Sequence, residues 1–313
     1  MLIGSRPPAY AGAGFTGMTS RGSAMTTILK PHTRDLGGGF EVQRLLPAFP
    51  NKMVGPFIFF DHFGPVNFGK GQGIDVRPHP HIGLATVTYL FEGAQMHRDS
   101  LGTVQRIEPG DVNWMTAGSG IVHSERSGDL DRATGHRLHG LQTWVALPKS
   151  HEQTEPSFSH HAKSELPEIA LHGVTMRLIA GTAFGQRAPT PTFSPIFYVA
   201  VEMKPGAILE LPPEHEERAV YAIDGDLRID DTDLPARHMA VLEPWTTVRI
   251  EAASAARCML LGGAKMDGDR LIWWNFVASS RERIDAAAER WREGRFPAVP
   301  GETEFIPLPD RQL

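Results

Sequence analysis

The chain has 313 residues, with 31 basic and 36 acidic side chains and a formal net charge of -5 at pH 7. This length accommodates two domains that each bury a core. The mild negative charge argues against direct binding to nucleic acid or to an anionic membrane, and no apolar stretch reaches the roughly 20 residues of a membrane span. The single cysteine, Cys258, excludes an internal disulfide framework and a cysteine-based metal cluster, and it fits a reducing compartment such as the cytoplasm.

Short apolar runs between turns dominate the chain and predict an all-β fold. Residues 1–25 are rich in Gly, Ser, Pro and Ala and are predicted to form a disordered tail. Beyond them, glycine and proline separate runs that are rich in β-branched and aromatic residues. The clearest predicted strands are residues 84–91, 112–115, 141–147 and 196–201. Many short strands of this kind indicate a barrel or a sandwich.

The two halves of the chain are interpreted as two copies of one barrel. The run Tyr-Leu-Phe-Glu-Gly at 89–93 is echoed by Tyr-Ala-Ile-Asp-Gly at 221–225. An apolar strand that ends in an acid and a glycine is also common in unrelated β proteins, so the echo alone leaves both explanations open. A polar segment at 151–170 is the predicted linker. The expected units are an N-terminal metal-binding barrel at 26–155, a C-terminal barrel at 165–275, and a helix with a tail at 276–313.

One segment near the end of the chain predicts a helix. Ser-Ser-Arg-Glu at 279–282 has the spacing of a capping box, and Ile284, Ala287, Ala288 and Trp291 then recur at helical spacing until a glycine at 294. A single amphipathic helix has to bury its apolar face. We therefore expect this helix to dock on one of the barrels.

Two pairs of residues in the first half predict a metal site. His79 and His81 are separated by one residue, and so are His123 and Glu125. Residues two apart on a strand point to the same face, so two such strands can direct four ligands at one ion. Three imidazoles and one carboxylate suit Fe, Mn, Ni, Cu, Co or Zn and contain too little oxygen for Ca or Mg. One His-x-His pair alone is more often an ordinary core or surface feature, and the second pair favours the metal.

Residues around these pairs are candidates for supporting roles. Phe59, Trp114 and Met115 can wall a flat aromatic substrate, although each is also an ordinary core residue. Asp61 and His62 can hydrogen-bond a ligand imidazole, and capping a loop is the alternative.

A His-Arg-Asp segment at 97–99 follows the glycine turn at 93. Such a segment looks catalytic in a protein kinase, but neither the phosphate-binding glycine loop nor the magnesium ligands accompany it. We therefore interpret His97 and Asp99 as loop residues that face solvent or the rim of the cavity.

Five short motifs follow one another along the first half of the chain. They are Asn-Lys-Met-Val-Gly-Pro-Phe at 51–57, Phe-Asp-His-Phe-Gly-Pro at 60–65, His-Pro-His at 79–81, Trp-Met-Thr-Ala-Gly at 114–118 and His-Ser-Glu at 123–125. In this order they resemble the pirin family of the cupin superfamily, and the resemblance extends from about residue 36 to the end of the chain.

The resemblance implies two stacked cupin-type β-barrels, a bicupin, with a C-terminal helix. It also implies one non-haem Fe(II) ion in the N-terminal barrel, on His79, His81, His123 and Glu125, with other divalent transition metals as possible occupants. The repeat places Leu211 and Pro213 of the second barrel opposite His79 and His81. The C-terminal barrel is therefore expected to lack a metal.

The resemblance implies two alternative functions for the iron site. Some pirins act as quercetin 2,3-dioxygenases, which cleave the heterocycle of a flavonol with O2 and release carbon monoxide. In that case the flavonol would chelate the ion at its open positions, and Glu125 would accept a proton as the catalytic base. Other pirins resemble regulators, in which the oxidation state of the iron would tune binding to a transcription factor or a metabolic enzyme.

Overall fold

The computed structural model describes residues 25–35 and 40–310, so the predicted disordered tail at 1–25 lies outside the described residues except for Met25. The strands of the first half are β1 (Met25–Leu29), β2 (His32–Asp35), β3 (Glu41–Leu46), β4 (Phe57–Phe68), β5 (Asp75–His81), β6 (Leu84–Glu92), β7 (Gln95–Asp99), β8 (Val104–Ile107), β9 (Val112–Thr116), β10 (Ile121–Arg126), β11 (His136–Ala146) and β12 (Ser157–His161). Those of the second half are β13 (Glu168–Leu171), β14 (Val174–Ala183), β15 (Gln186–Arg187), β16 (Ile196–Met203), β17 (Ile208–Leu211), β18 (Glu217–Asp224), β19 (Leu227–Ile229), β20 (Thr232–Leu234), β21 (Met239–Leu242), β22 (Val248–Ala252), β23 (Ala256–Gly263), β24 (Leu271–Trp273) and β25 (Phe276–Ala278). The α-helices of this part of the chain are α1 (Asp129–Thr134) and α2 (Arg281–Arg292), and neither is long and apolar enough to span a membrane.

The strands build two barrels, which confirms the predicted all-β fold of two stacked units. In the N-terminal barrel, a seven-stranded sheet in the order β12-β9-β6-β11-β4-β3-β2 faces a four-stranded sheet in the order β5-β10-β7-β8. In the C-terminal barrel, the larger sheet runs β1-β21-β18-β23-β16-β14-β13, with β15 paired to β14, and the smaller sheet runs β17-β22-β19-β20. Three of the four strands predicted most clearly from the sequence lie within β6, β9 and β16, and the fourth, at 141–147, extends one residue beyond the end of β11.

The internal echo in the sequence marks equivalent positions in the two barrels. The run at 89–93 ends β6, and the run at 221–225 ends β18, and both strands lie inside the larger sheet of their barrel. Gly93 and Gly225 both have positive φ, at 81° and 69°. A Cβ on Gly93 would lie 2.1 Å from the carbonyl oxygen of Arg137, so this turn requires glycine.

A hydrophobic core between the larger sheets holds the two barrels together. Phe57 of the first barrel packs on Tyr198 of the second with ring centroids 5.3 Å apart, and Phe60 meets the edge of Tyr221 at 4.8 Å. Aliphatic side chains, including Leu211, form a separate core inside the C-terminal barrel. The aromatic pairs explain why the barrels stack on their larger sheets.

The two ends of the described chain each join the opposite barrel. Strand β1 pairs with β21, so an N-terminal strand completes the C-terminal sheet. Helix α2 confirms the helix predicted near the C-terminus, and it buries Ile284, Ala287 and Ala288 against Ile82 and Val122 of the N-terminal barrel. The extended backbone at the helix start is not capped by the side chain expected from the sequence motif.

The segment between the barrels is divided between the two sheets. Strand β12 still pairs with β9 of the N-terminal barrel, and β13 pairs with β14 of the C-terminal barrel. The crossing point therefore falls at residues 162–167. The exact domain boundaries given above remain predictions.

Candidate metal centre

Three histidines predicted as ligands lie together inside the N-terminal barrel. One ring nitrogen from each of His79, His81 and His123 lies within 4.8 Å of the other two. The ring centroids are 4.4 to 5.0 Å apart. The structure thus brings both sequence segments to one point.

The pairing of β5 with β10 creates this cluster. The two strands are antiparallel neighbours, and His123 lies directly opposite His79, while His81 lies opposite Ile121. Because side chains alternate along a strand, both imidazoles of β5 point inward with the imidazole of His123. The register shifts between His123 and Glu125, so that Glu125 lies opposite Val76.

Burial keeps the three imidazoles uncharged. His79, His81 and His123 are 7%, 1% and 1% exposed. Burial lowers the pKa of His79 to about 4 and holds the pKa values of His81 and His123 well below the ordinary 6.5, and the neighbouring imidazoles lower them further. A neutral imidazole has a free nitrogen lone pair, which is the form that a metal ion binds.

Backbone carbonyls fix the tautomers of two of these rings. The Nδ1–H of His79 donates to the carbonyl of Arg77 at 2.9 Å, and the Nδ1–H of His81 donates to the carbonyl of Asn275 at 3.1 Å. Both Nε2 atoms are thereby left as lone-pair donors. The Nε2 atoms of His81 and His123 are 3.1 Å apart, close to the roughly 3 Å between adjacent nitrogen ligands of an octahedral ion. The residues therefore fit a divalent transition metal.

Glu125 is buried beside the three histidines but is not part of their close group. Burial raises the pKa of Glu125 to about 7, and a hydrogen bond from the side chain of Gln95 offsets part of that effect. A carboxyl group with this pKa is half protonated near neutral pH, so it can either accept or release a proton there.

A cavity of about 580 Å³ leads to this cluster. Three of the four predicted ligands, His79, His81 and Glu125, are among the residues that line it. Phe59 and Trp144 form an aromatic wall, with rings stacked 3.9 Å apart and 12° from parallel. Trp144 also meets the ring of His81 edge-on at 5.2 Å. The wall therefore touches a candidate ligand directly.

An ion pair that also lines the cavity flanks the aromatic wall. Arg44 donates two hydrogen bonds of 2.7 Å to the carboxylate of Asp61. The same guanidinium lies 4.2 Å from the ring centroid of Phe59, a cation–π distance. Asp61, one of the predicted supporting residues, thus positions an arginine at the cavity, and no ligand imidazole of the described chain is among its hydrogen-bond partners.

The other predicted neighbours lie in different surroundings. Phe59 lines the cavity, whereas Trp114 and Met115 are each 1% exposed and belong to hydrophobic cores. His62 points to the interface of the barrels, with its Nδ1 2.6 Å from the hydroxyl of Tyr221. Sequence reasoning did not single out Trp144, although its strand, β11, was predicted.

The interpretation of His97 and Asp99 as loop residues that face solvent or the rim of the cavity is wrong. Both lie on strand β7, and they are 4% and 0% exposed. The two residues alternate inward with Gln95 on this strand, which pairs directly with β10. Alternation of apolar and polar residues could not reveal this burial, because Gln95, His97 and Asp99 are all polar.

Known proteins match nearly the whole described chain. Residues 39–145 match the family model described as Pirin, and residues 198–297 match the one described as Pirin C-terminal cupin domain. A "Pirin-like protein" of Caulobacter vibrioides is 50% identical over 288 residues, which cover 90% of this chain and 99% of the relative. "Pirin" of Homo sapiens is 33% identical over 267 residues, covering 83% of this chain and 89% of the relative. The crystal structure of quercetin 2,3-dioxygenase from Acinetobacter baumannii superposes with a TM-score of 0.84 at 34% identity, covering 92% of this chain and 97% of that one.

Proposed function

Because this chain belongs to the pirin family, we propose that it binds one Fe(II) ion on His79, His81, His123 and Glu125 and cleaves flavonols with O2. One observation carries the proposal: three buried, uncharged imidazoles converge at a cavity with a stacked aromatic wall. The similarity to a quercetin 2,3-dioxygenase structure at 34% identity supports the same activity.

The cavity suits a flat aromatic molecule. Its volume of about 580 Å³ lies within the range of small-molecule sites. Phe59 and Trp144 present apolar surface beside the candidate ligands, and Arg44 holds the outer ring of that pair in place. A planar ring system placed along this wall would have one edge at the imidazoles of His79 and His81.

Glu125 is the group that can move the proton of the substrate. A bound divalent ion supplies Lewis acidity and redox chemistry with dioxygen. Glu125 lines the same cavity as His79 and His81, so its carboxylate would be placed to accept the proton of the acidic hydroxyl of a flavonol. The side chain of Gln95, on the neighbouring strand β7, donates a hydrogen bond to this carboxyl.

Metal analysis together with quercetin turnover tests the proposal. Protein purified without chelator should contain about one iron per chain, and the iron-loaded protein should bleach quercetin in air. His79→Ala should abolish both the metal content and the bleaching. His215→Asn, which alters a buried histidine of the other barrel, should change neither.

The two alternative functions predict different results in the same experiment. The protein could contain one iron per chain and still leave the quercetin absorbance unchanged while a reference enzyme consumes quercetin in parallel. That result would overturn the dioxygenase proposal and favour the regulatory alternative. Protein that takes up no transition metal in any preparation would overturn both, because both depend on the same ligands.

A further inference from the structure

A buried carboxylate and a buried histidine lie on the strand next to the one that carries His123. Strand β7 pairs with β10 so that Asp99 lies opposite His123 and His97 lies opposite Glu125. His97 and Asp99 have no role in the function proposed above, yet Asp99 is completely buried. A buried carboxylate needs partners for its oxygen atoms, and these partners indicate what it does.

The backbone of the following turn holds Asp99 in one orientation. The amide groups of Leu101 and Thr103 donate to Asp99 Oδ1 at 2.9 and 3.1 Å. Burial alone would raise the pKa of Asp99, but the hydrogen bonds from His97 and Thr103 lower it below its usual value. One oxygen is therefore fixed by the turn, and the ionised carboxylate offers Oδ2 to the side chain of His97.

The position of the carboxylate determines the tautomer of His97. The Nε2 of His97 lies 2.9 Å from Asp99 Oδ2. An ionised carboxylate only accepts hydrogen bonds, so the Nε2 of His97 carries the hydrogen. In the neutral ring Nδ1 is then an acceptor. The ring also stacks on Phe158, with centroids 4.5 Å apart, and this packing opposes a flip.

The tautomer of His97 in turn determines that of His123. The Nδ1 atoms of the two rings lie 3.5 Å apart. With an acceptor at the Nδ1 of His97, the Nδ1 of His123 is the donor when a cation occupies the lone pair of its Nε2. The lone pair of His123 is then on Nε2, the atom that faces the Nε2 of His81 at 3.1 Å. His79 and His81 obtain the same tautomer from backbone carbonyls, so only the third histidine depends on side chains for it.

We infer that Asp99 and His97 are positioning residues that hold His123 in the tautomer and orientation needed to bind the metal. This inference rests on the metal site proposed above. It predicts that the hydrogen-bond chain strengthens metal binding and adds electron density to the ligand, as carboxylate–histidine pairs do behind other metal ligands.

Nitrogen-15 NMR of the protein loaded with diamagnetic Zn(II) tests the tautomers without relying on a variant. Histidine ring nitrogens should show His97 protonated on Nε2 and His123 protonated on Nδ1 at neutral pH. The opposite tautomer of His123, with the hydrogen on Nε2, would overturn the inference. This measurement does not depend on the folding of a mutant.

Titration with Co(II) measures the effect of the chain on binding. We expect Asp99→Asn and His97→Phe each to raise the dissociation constant about 10- to 100-fold and to change the visible spectrum of the bound Co(II). His97→Phe keeps an aromatic ring on Phe158, which preserves the packing. His215→Asn serves as the matched control and should leave the constant and the spectrum unchanged.

The reduction potential separates positioning from a purely structural role. Removal of the carboxylate in Asp99→Asn should shift the potential of bound iron to more positive values, because less negative charge then supports Fe(III). Folded variants with unchanged Co(II) affinity, spectrum and potential would overturn this inference alone. Wild-type protein that binds no Co(II) or iron would instead show that the proposed metal site is wrong.

Discussion

At the scale of single residues, the centre combines two kinds of donor. The imidazoles of His79, His81 and His123 are kept neutral by burial, whereas burial shifts Glu125 toward its protonated form. The same desolvation therefore prepares the histidines to bind a cation and leaves the carboxyl able to exchange a proton. This difference suggests that metal retention and proton transfer can be separated by mutation.

Glu125→Gln should keep the metal and lose most of the activity. The three histidines remain, so the iron content should stay above half of the wild-type value, while quercetin consumption should fall by about 100-fold or more because the proton acceptor is gone. Iron content and the initial rate of bleaching measure the two effects. Glu168→Gln, an exposed change on the second barrel, is the control. Equal activity in wild type and Glu125→Gln would exclude Glu125 as the base.

Phe59→Leu should weaken substrate binding without affecting the metal. The change removes the ring that lies between Trp144 and Arg44 at the cavity, so both neighbours lose the contact that fixes their positions beside the substrate. We expect KM for quercetin to rise roughly 2- to 10-fold at unchanged iron content. Steady-state kinetics with iron analysis checks this, and an unchanged KM would mean that the substrate does not lie along this wall.

At the scale of elements, the C-terminal segment supports the strands that carry the ligands. Glu302 accepts hydrogen bonds from Ser124 at 2.9 Å and from Arg126 at 2.6 Å, both on β10. The amide of Ile306 donates to the carbonyl of Pro78 on β5 at 2.8 Å. The C-terminal segment therefore contacts both of the strands that carry the histidines, and Ile306 also lines the cavity.

Glu302→Gln should therefore destabilise the protein more than Glu304→Gln does. Glu302 is mostly buried against Arg126, so removal of its charge should lower the free energy of unfolding by about 1 to 3 kcal/mol. Glu304 contacts the same arginine at 3.0 Å, but it is 57% exposed, and Glu304→Gln should change stability by less than about 1 kcal/mol. Urea denaturation of both variants checks this order, and equal effects would contradict it.

The elements and the ligand pairs were predictable from the sequence because both depend on local spacing. Alternation and turn residues predicted β6 and β11, and one-residue spacing predicted that His79 and His81 share a face. The contacts of Trp144, His97 and Asn275 with these ligands were not predictable in this way. They depend on which distant strands become neighbours, and the spacing of residues along one strand does not contain that information.

At the scale of the whole molecule, a buried basic cluster lies at the interface of the barrels. His62 has its Nε2 2.7 Å from the Nε2 of His139. Burial holds the pKa of His62 well below 6.5 and lowers that of His139 to about 4, and nearby arginines lower both further. The groups that face these two rings are Tyr221, Arg237, Arg257 and Glu92.

The stability of the metal-free protein should fall below pH 6.5. Both histidines have lowered pKa values in the folded state, so below pH 6.5 the unfolded chain binds protons that the folded protein does not bind. Each such group reduces the free energy of unfolding by up to about 1.4 kcal/mol per pH unit. His62→Asn should show a shallower decline than wild type between pH 7.5 and 5.5 in urea denaturation. Parallel curves would show that His62 does not contribute.

Each barrel is completed by a segment from the other half of the chain, so the two halves should depend on each other for folding. Strand β1 lies before the first barrel in the chain but pairs in the second, and α2 follows the second barrel but covers the first. A protease cut at the exposed crossing between β12 and β13 would leave β1, a strand of the C-terminal barrel, on the N-terminal fragment. It would leave α2, which covers the N-terminal barrel, on the C-terminal fragment. The nicked product should migrate as one particle in gel filtration, and neither half, produced alone, should give a well-folded protein.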